Sequence, residues 1–192
     1  SCGSVTSSAA EVFTRPAPSV VTNPSSVTAC VNGNVTMSVT ASGTGLTYQW
    51  YKGTSPSGVA VSNSVSVSGA TTEALTINNV STGDAGSYYV VVSGSCGTAT
   101  STAATLTVNS PISITSQPVG GTICSSDSIT LSVTASGTGN TYQWYKNGSQ
   151  VSSTASSIKV YGNAPGSYYV VISNSCGSVT SSAAEVFTRP AP

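Results

Sequence analysis

The 192-residue chain carries five Lys or Arg, five Asp or Glu and no His, so its formal net charge is zero and charged residues make up only 5%, against about a quarter in an ordinary soluble domain. Without a basic run there is no counterion release to draw it to nucleic acid, and the longest aliphatic stretch, Val90-Val91-Val92, is far too short to cross a bilayer. Many Val, Thr and Tyr at low charge read as an all-β chain rather than a disordered one, and no segment has the make-up of an export signal, which is therefore expected outside this sequence.

In chain order, the first feature is a repeat. Residues 1–18 are identical to residues 175–192, an offset of 174. Inside that period lie two related halves: ASGTGLTYQWYK at 41–52 matches ASGTGNTYQWYK at 135–146, and GSYYVVVSGSCG at 86–97 matches GSYYVVISNSCG at 166–177. The spacing predicts a terminal strand of a preceding module at 1–15, a first module over 17–108, a second over 109–188 and a linker at 189–192. The boundaries fall at Pro-containing stretches, Arg15-Pro16-Ala17-Pro18 and Asn109-Ser110-Pro111, which suit stiff junctions. Because the halves have diverged as natural tandem copies do, the period is read as natural and the chain as part of a longer array; a duplicated end introduced by design or cloning is the other reading.

In the first module Val35, Met37 and Val39 alternate with Thr36 and Ser38, then Tyr48 and Trp50 with Gln49 and Tyr51, then Leu75 and Ile77 with Thr76. Tyr88, Val90 and Val92 share one side, and Leu106 and Val108 another. The second module repeats this with Ile129, Leu131 and Val133, with Tyr142 and Trp144, with Ile158 and Val160, and with Tyr168, Val170 and Ile172. Period-two alternation in short runs broken by Ser-Gly and Asn-Gly predicts half-buried antiparallel strands. No helical periodicity extends beyond a turn.

TYQWYK followed by LTINNVSTGDAGSYYV resembles strands C, E and F of an immunoglobulin-like domain. The resemblance implies tandem β-sandwiches end to end, with Trp50 and Trp144 as the buried strand-C tryptophans and Tyr88 as the tyrosine of the turn before strand F. Two departures stand out. Val39 and Val90, and Val133 and Val170, occupy positions where antibody-type domains carry cysteines. The second module has Ala164 in place of Asp84 and is 14 residues shorter between strands C and F, which implies a lost strand D or C′. A cysteine before strand B and another after strand F (Val-Thr-Ala-Cys-Val-Asn-Gly and Ser-Gly-Ser-Cys-Gly) further resemble tandem repeats of very large secreted surface proteins of Bacteroidota, the SprB-like gliding adhesins and other type IX-secreted proteins. That resemblance implies an extracellular, cell-surface setting.

Five cysteines are present: Cys2, Cys30, Cys96, Cys124 and Cys176. Cys2 is the copy of Cys176, so each full module has two. In the fold that the resemblance implies, Cys30 lies in the turn before strand B and Cys96 in the turn after strand F, at opposite ends of the sandwich. At a rise of about 3.3 Å per residue the two sulfurs of one module stand about 30–40 Å apart, beyond the reach of a disulfide. The expected pairing therefore runs between modules: Cys30 with Cys176, while Cys2, Cys96 and Cys124 pair with modules outside this sequence. Bridges inside a module through another topology, and free or interchain thiols, are the alternatives.

Other chemistry is sparse. A Ser nucleophile lacks a His base, the carboxylates are scattered, and neither Cys-x-x-Cys nor a calcium loop occurs, so no enzymatic activity, metal or cofactor is expected. Tyr51, Tyr89, Tyr145 and Tyr169 are expected to face outward from the C–F sheet, either as a contact face for glycans or another subunit or as cross-strand pairs. Asp127-Ser128-Ile129 resembles a Bacteroidota O-glycosylation site at Ser128; a plain turn is the alternative. The expected function is a structural repeat of a long surface adhesin or filament, a disulfide-stiffened stalk serving attachment or gliding. A carbohydrate- or protein-binding module, or a spacer in an extracellular enzyme, is the other reading. Its partners are neighbouring modules, with surface glycans or self-association into fibres beside them.

Overall fold

The structure, a computed structural model, describes residues 2–11 and 13–189; the expected linker residues 190–192 lie outside them. The protein is all-β, its strands falling into two successive domains. The chain divides into two compact units: residues 1–25, 36–76 and 87–104 make up the first, and residues 26–35, 77–86 and 105–192 the second.

The strands of the first domain are β1 (Ser19–Thr22), β2 (Val27–Cys30), β3 (Val35–Ser38), β4 (Thr40–Ser42), β5 (Thr47–Lys52), β6 (Val59–Ala60), β7 (Val67–Ser68), β8 (Ala74–Ile77), β9 (Gly86–Gly94), β10 (Gly97–Thr100) and β11 (Ala104–Asn109). Those of the second are β12 (Ser113–Ser116), β13 (Gly121–Cys124), β14 (Ser128–Ser132), β15 (Thr134–Ser136), β16 (Thr141–Lys146), β17 (Ser149–Gln150), β18 (Ser157–Tyr161), β19 (Gly166–Asn174), β20 (Gly177–Thr180) and β21 (Ala184–Arg189). Arg189 therefore ends a strand rather than opening a linker. The main sheet runs β2-β11-β9-β5-β6 in the first domain and β13-β21-β19-β16-β17 in the second, with β10 and β20 pairing β9 and β19.

The opposite sheets differ: β3-β8-β7 has three strands, whereas β14-β18 has two. The second domain keeps its C′ strand, β17, and has no counterpart of β7 among the described residues. The shortening inferred from the spacing therefore removes strand D.

Alternation becomes burial as the pattern requires. In the first unit Trp50, Leu75, Val90 and Val92 are fully buried. The second unit packs Leu131, Trp144, Val170 and Ile172, all at 0% exposure, with Ile158, Val160 and Tyr168 around them. The valines standing where antibody-type domains hold a disulfide are all buried, so apolar contact fills that space. Each indole N–H donates to a carbonyl at 2.9 Å, Trp50 to Thr72 and Trp144 to Ala155, which lets a polar group sit in an apolar core without an unpaired donor. Ser101 and Ser181 are buried hydroxyls in matched roles. Each accepts a strand N–H at 3.0 Å, from Val90 or Val170, and donates to the next residue's carbonyl at 2.9 Å.

The turn before strand F differs between the domains as the sequence does. Asp84 accepts from the backbone N–H and the hydroxyl of Ser81, at 2.8 and 2.7 Å, closing a short 3-10 turn at Thr82–Asp84. In the second domain Ala164 offers no carboxylate, and its carbonyl accepts the Tyr168 hydroxyl at 2.7 Å.

The described residues within 1–15, where a terminal strand of a preceding module is expected, carry no strand. Residues 2–11 and 13–18 lie outside any strand, and Val5 and Phe13 are exposed. The identical sequence at the other end forms β20 and β21 against β19. A strand is held by its ladder partner, and only the second copy has one within the described residues.

Candidate functional site

β2 and β11 run parallel, with Cys30 opposite Asn109 at the end of the pair. The chain then turns back over Val31-Asn32-Gly33, where the Gly33 N–H donates to the Cys30 carbonyl at 2.8 Å. Asn32 takes the left-handed conformation at φ 67°, which Asn tolerates better than most residues. This turn holds the Cys30 sulfur at the end of β2, on the rim of the first domain. On the second domain, Asn174 and Gly177 close a two-residue hairpin with Ser175 and Cys176 at its tip. The Asn174 side-chain oxygen accepts the Cys176 N–H at 2.7 Å and fixes the tip.

Cys30 and Cys176 form a disulfide across 146 residues, with their Cα atoms 5.5 Å apart. The bridge lies wholly within the second compact unit, which takes in residues 26–35 and 77–86 of the first domain.

A polar cluster surrounds it, built on Asn109. Its side chain donates to the Ser175 hydroxyl at 2.7 Å and accepts from the Thr138 hydroxyl at 3.1 Å. Its carbonyl accepts the Val31 N–H at 2.9 Å and lies 3.4 Å from the Cys176 sulfur. The Thr138 hydroxyl also accepts the Ser110 N–H at 2.9 Å. The Asn174 amide donates to the carbonyls of Ser110 and Thr138, each at 3.0 Å. Asn109 and Ser110 of the Pro-containing stretch are thus held by side chains of the following domain, beside the disulfide. Sequence reasoning singled out the two cysteines and missed Asn109, Thr138 and Asn174. A signal was present, since Asn174 stands where the first domain has Gly94, an amide gained at the tip beside the bridging cysteine.

The remaining expected site residues are placed as follows. Cys2, Cys96 and Cys124 are exposed and unbridged. Cys96 sits with Ser95 at the tip of the β9–β10 hairpin, and Cys124 opposite Arg189 at the end of β13. Tyr51 stacks on Tyr89 with ring centroids 5.2 Å apart, and Tyr145 on Tyr169 at 5.0 Å. Each pair is directly opposed across neighbouring strands, the arrangement that stabilises a sheet. Tyr89 corrects the expectation of an exposed aromatic face. It is 1% exposed, because the longer connection after β5 folds over it and the Gly58 N–H donates to its hydroxyl at 3.2 Å. Tyr51, Tyr145 and Tyr169 are half-buried. Ser128 opens β14 opposite Tyr161 and is itself half-buried.

No group of His, Cys, Asp and Glu that could hold a metal occurs among the described residues. Nor is any helix among them long and apolar enough to cross a membrane.

Residues 18–108 match the immunoglobulin I-set domain, and residues 111–190 match the Ig-like domain described as CHU_C associated. A comparison with curated proteins finds no match. Among solved structures, the N-terminal eight Ig domains of the Down Syndrome Cell Adhesion Molecule superpose with a TM-score of 0.69 at 22% identity, over 94% of this chain and 28% of that one. An I-band fragment of titin gives 0.68 at 18% identity, over 93% and 67%. A structure addressing Dscam isoform specificity gives 0.67 at 21% identity, over 92% of this chain and 47% of that one, so the chain spans about half its length. At these identities the likeness is one of fold. Family matches to both halves, strand order and structural neighbours agree that this chain consists of two immunoglobulin-like domains in tandem.

Proposed function

We propose that this protein is a structural repeat segment of an extracellular bacterial surface protein, a stalk whose domain junctions are stiffened by disulfides and which presents an adhesive or motile apparatus away from the cell. The observation that carries this reading is the Cys30–Cys176 bridge, set among the hydrogen bonds of Asn109, Thr138 and Asn174. A single short Pro linker leaves two domains free to reorient; a covalent tie beside the linker, together with amide and hydroxyl contacts on the linker itself, opposes that motion. The CHU_C-associated match and the use of a disulfide both favour an oxidising, extracellular setting. The nearly uncharged Ser/Thr-rich composition suits a spacer more than a specific polar binding site. The tyrosine pairs favour the same reading, since each ring is taken up by its cross-strand neighbour.

The test is a distance distribution by pulsed electron resonance between spin labels clicked onto azide-bearing residues at Thr82 and Ser149, both exposed and both in the compact unit that holds the bridge. The oxidised protein is expected to give one narrow distribution, and reduction, or Cys30→Ser, to broaden it. Equal widths in all three samples contradict the stiffened junction.

A further inference from the structure

Asn109 does two things at once: it stands opposite Cys30 in the β2–β11 register and hydrogen-bonds Ser175, the neighbour of Cys176. Arg15 and Arg189, the same position of the repeated 18-residue segment, each show one half of that placement. Arg189 stands opposite Cys124 in the β13–β21 register. Arg15, its counterpart in the identical 18-residue segment, points a guanidinium N–H at the Ser95 hydroxyl at 3.4 Å, and Ser95 is the neighbour of Cys96. Ser95 is further held by Thr44, whose carbonyl accepts its hydroxyl at 3.2 Å, as Thr138 attends the first junction. The two turns that present the cysteines also match. The Asp127 N–H donates to the Cys124 carbonyl at 3.0 Å where Gly33 donates to Cys30, and Ser95-Cys96 tips a two-residue hairpin as Ser175-Cys176 does.

In a chain that continues with period 174, Arg15 and Arg189 are one residue. It then reads Cys124 of one repeat unit on one side and Ser95-Cys96 of the next on the other. We infer that Cys124 forms a second class of inter-domain disulfide with Cys96 of the following repeat unit, the arginine taking the place of Asn109. The partner is a second copy of this repeat, and its hairpin tip would occupy the open groove of about 740 Å³ lined by Thr122, Cys124, Asp127, Lys159, Tyr161 and Arg189. Both thiols are exposed and unbridged in the single unit, as this pairing requires. Their oxidation balances with a small disulfide such as oxidised glutathione. The Cys124 thiolate attacks it and expels one glutathione thiolate. The Cys96 thiolate then attacks the mixed disulfide and expels the second.

The inference rests on the tandem-array reading above, and the experiment separates the two. A chain of residues 1–174 followed by residues 1–192 contains nine cysteines. After refolding in a glutathione redox buffer, its free thiols are counted by alkylation and intact mass, and the bridges are mapped by non-reducing digestion. The expected result is three bridges and three free thiols, with a Cys96–Cys124 peptide from monomeric protein. Cys96→Ser in the second unit then frees the Cys124 of the first. Five free thiols, with both Cys30 bridges formed, would overturn this inference and leave the stalk reading standing. Absence of the Cys30 bridges would remove both.

Discussion

Trp144→Ala should unfold the second domain more readily than any other single core truncation of it. The ring is fully buried in the core cluster with Leu131, Ile158 and Ile172, its residue paired with Val170 on β19, and its N–H is the donor to Ala155. Removing a buried Trp costs about 3–5 kcal/mol through lost transfer and the cavity left behind, and it strips the Ala155 carbonyl of its partner. A domain of this size is stable by only about 5–10 kcal/mol, so a large share of its stability is expected to disappear. Tyr145→Ala, one position along on the half-buried stacked pair, should cost about 1 kcal/mol. Urea unfolding followed by the remaining tryptophan, Trp50, and by circular dichroism separates the two domains. Trp144→Ala within about 1 kcal/mol of the parent would mean that the indole does not organise this core.

Cys30→Ser is expected to have the second-largest effect, for a different reason. The bridge closes a loop of 146 residues in sequence. Releasing so long a loop returns entropy to the unfolded chain worth about 2–5 kcal/mol. On a small domain that corresponds to a fall of about 10 °C or more in the midpoint of thermal unfolding. Cys176→Ser should give the same loss, and the double variant no more than either single one, because both singles break the same bond. Cys96→Ser and Cys124→Ser should leave the midpoint where it is in the single repeat unit, since neither thiol is bridged there. Matched midpoints for Cys30→Ser and the parent would show that the bridge constrains nothing.

Much of the fold was legible because its signals are local. Alternation placed Trp50 and Trp144 and the Tyr88 and Tyr168 strands in the core, since a strand with one buried face must read apolar every second residue. Two things were not legible, and both depend on what lies across from a residue. β20 and β21 are strands, while the described residues of the identical sequence at 1–15 are not, because only the former lie beside β19. Tyr89 and Tyr169 share a motif and a stacked partner, yet Tyr89 is buried by the longer connection after β5 while Tyr169 stays half-exposed.

The junction divides along the same line. Strand geometry bears on where two thiols of one domain can stand, because rise per residue is fixed. The amide cluster of Asn109 and Asn174 depends on the placement of one domain's rim beside the next, which no periodicity encodes. Its traces in the sequence are Asn174 where the first domain has Gly94 and Asn140, which accepts from the Asn174 amide, where the first domain has Leu46.

The most direct test of the disulfide-bridged junction is peptide mapping of the oxidised chain, digested without reduction and with free thiols blocked beforehand. The account predicts a linked pair of peptides carrying Cys30 and Cys176, with Cys96 and Cys124 recovered as blocked thiols. A peptide linking Cys30 to Cys96, or Cys124 to Cys176, would place the bridges inside single domains and contradict it.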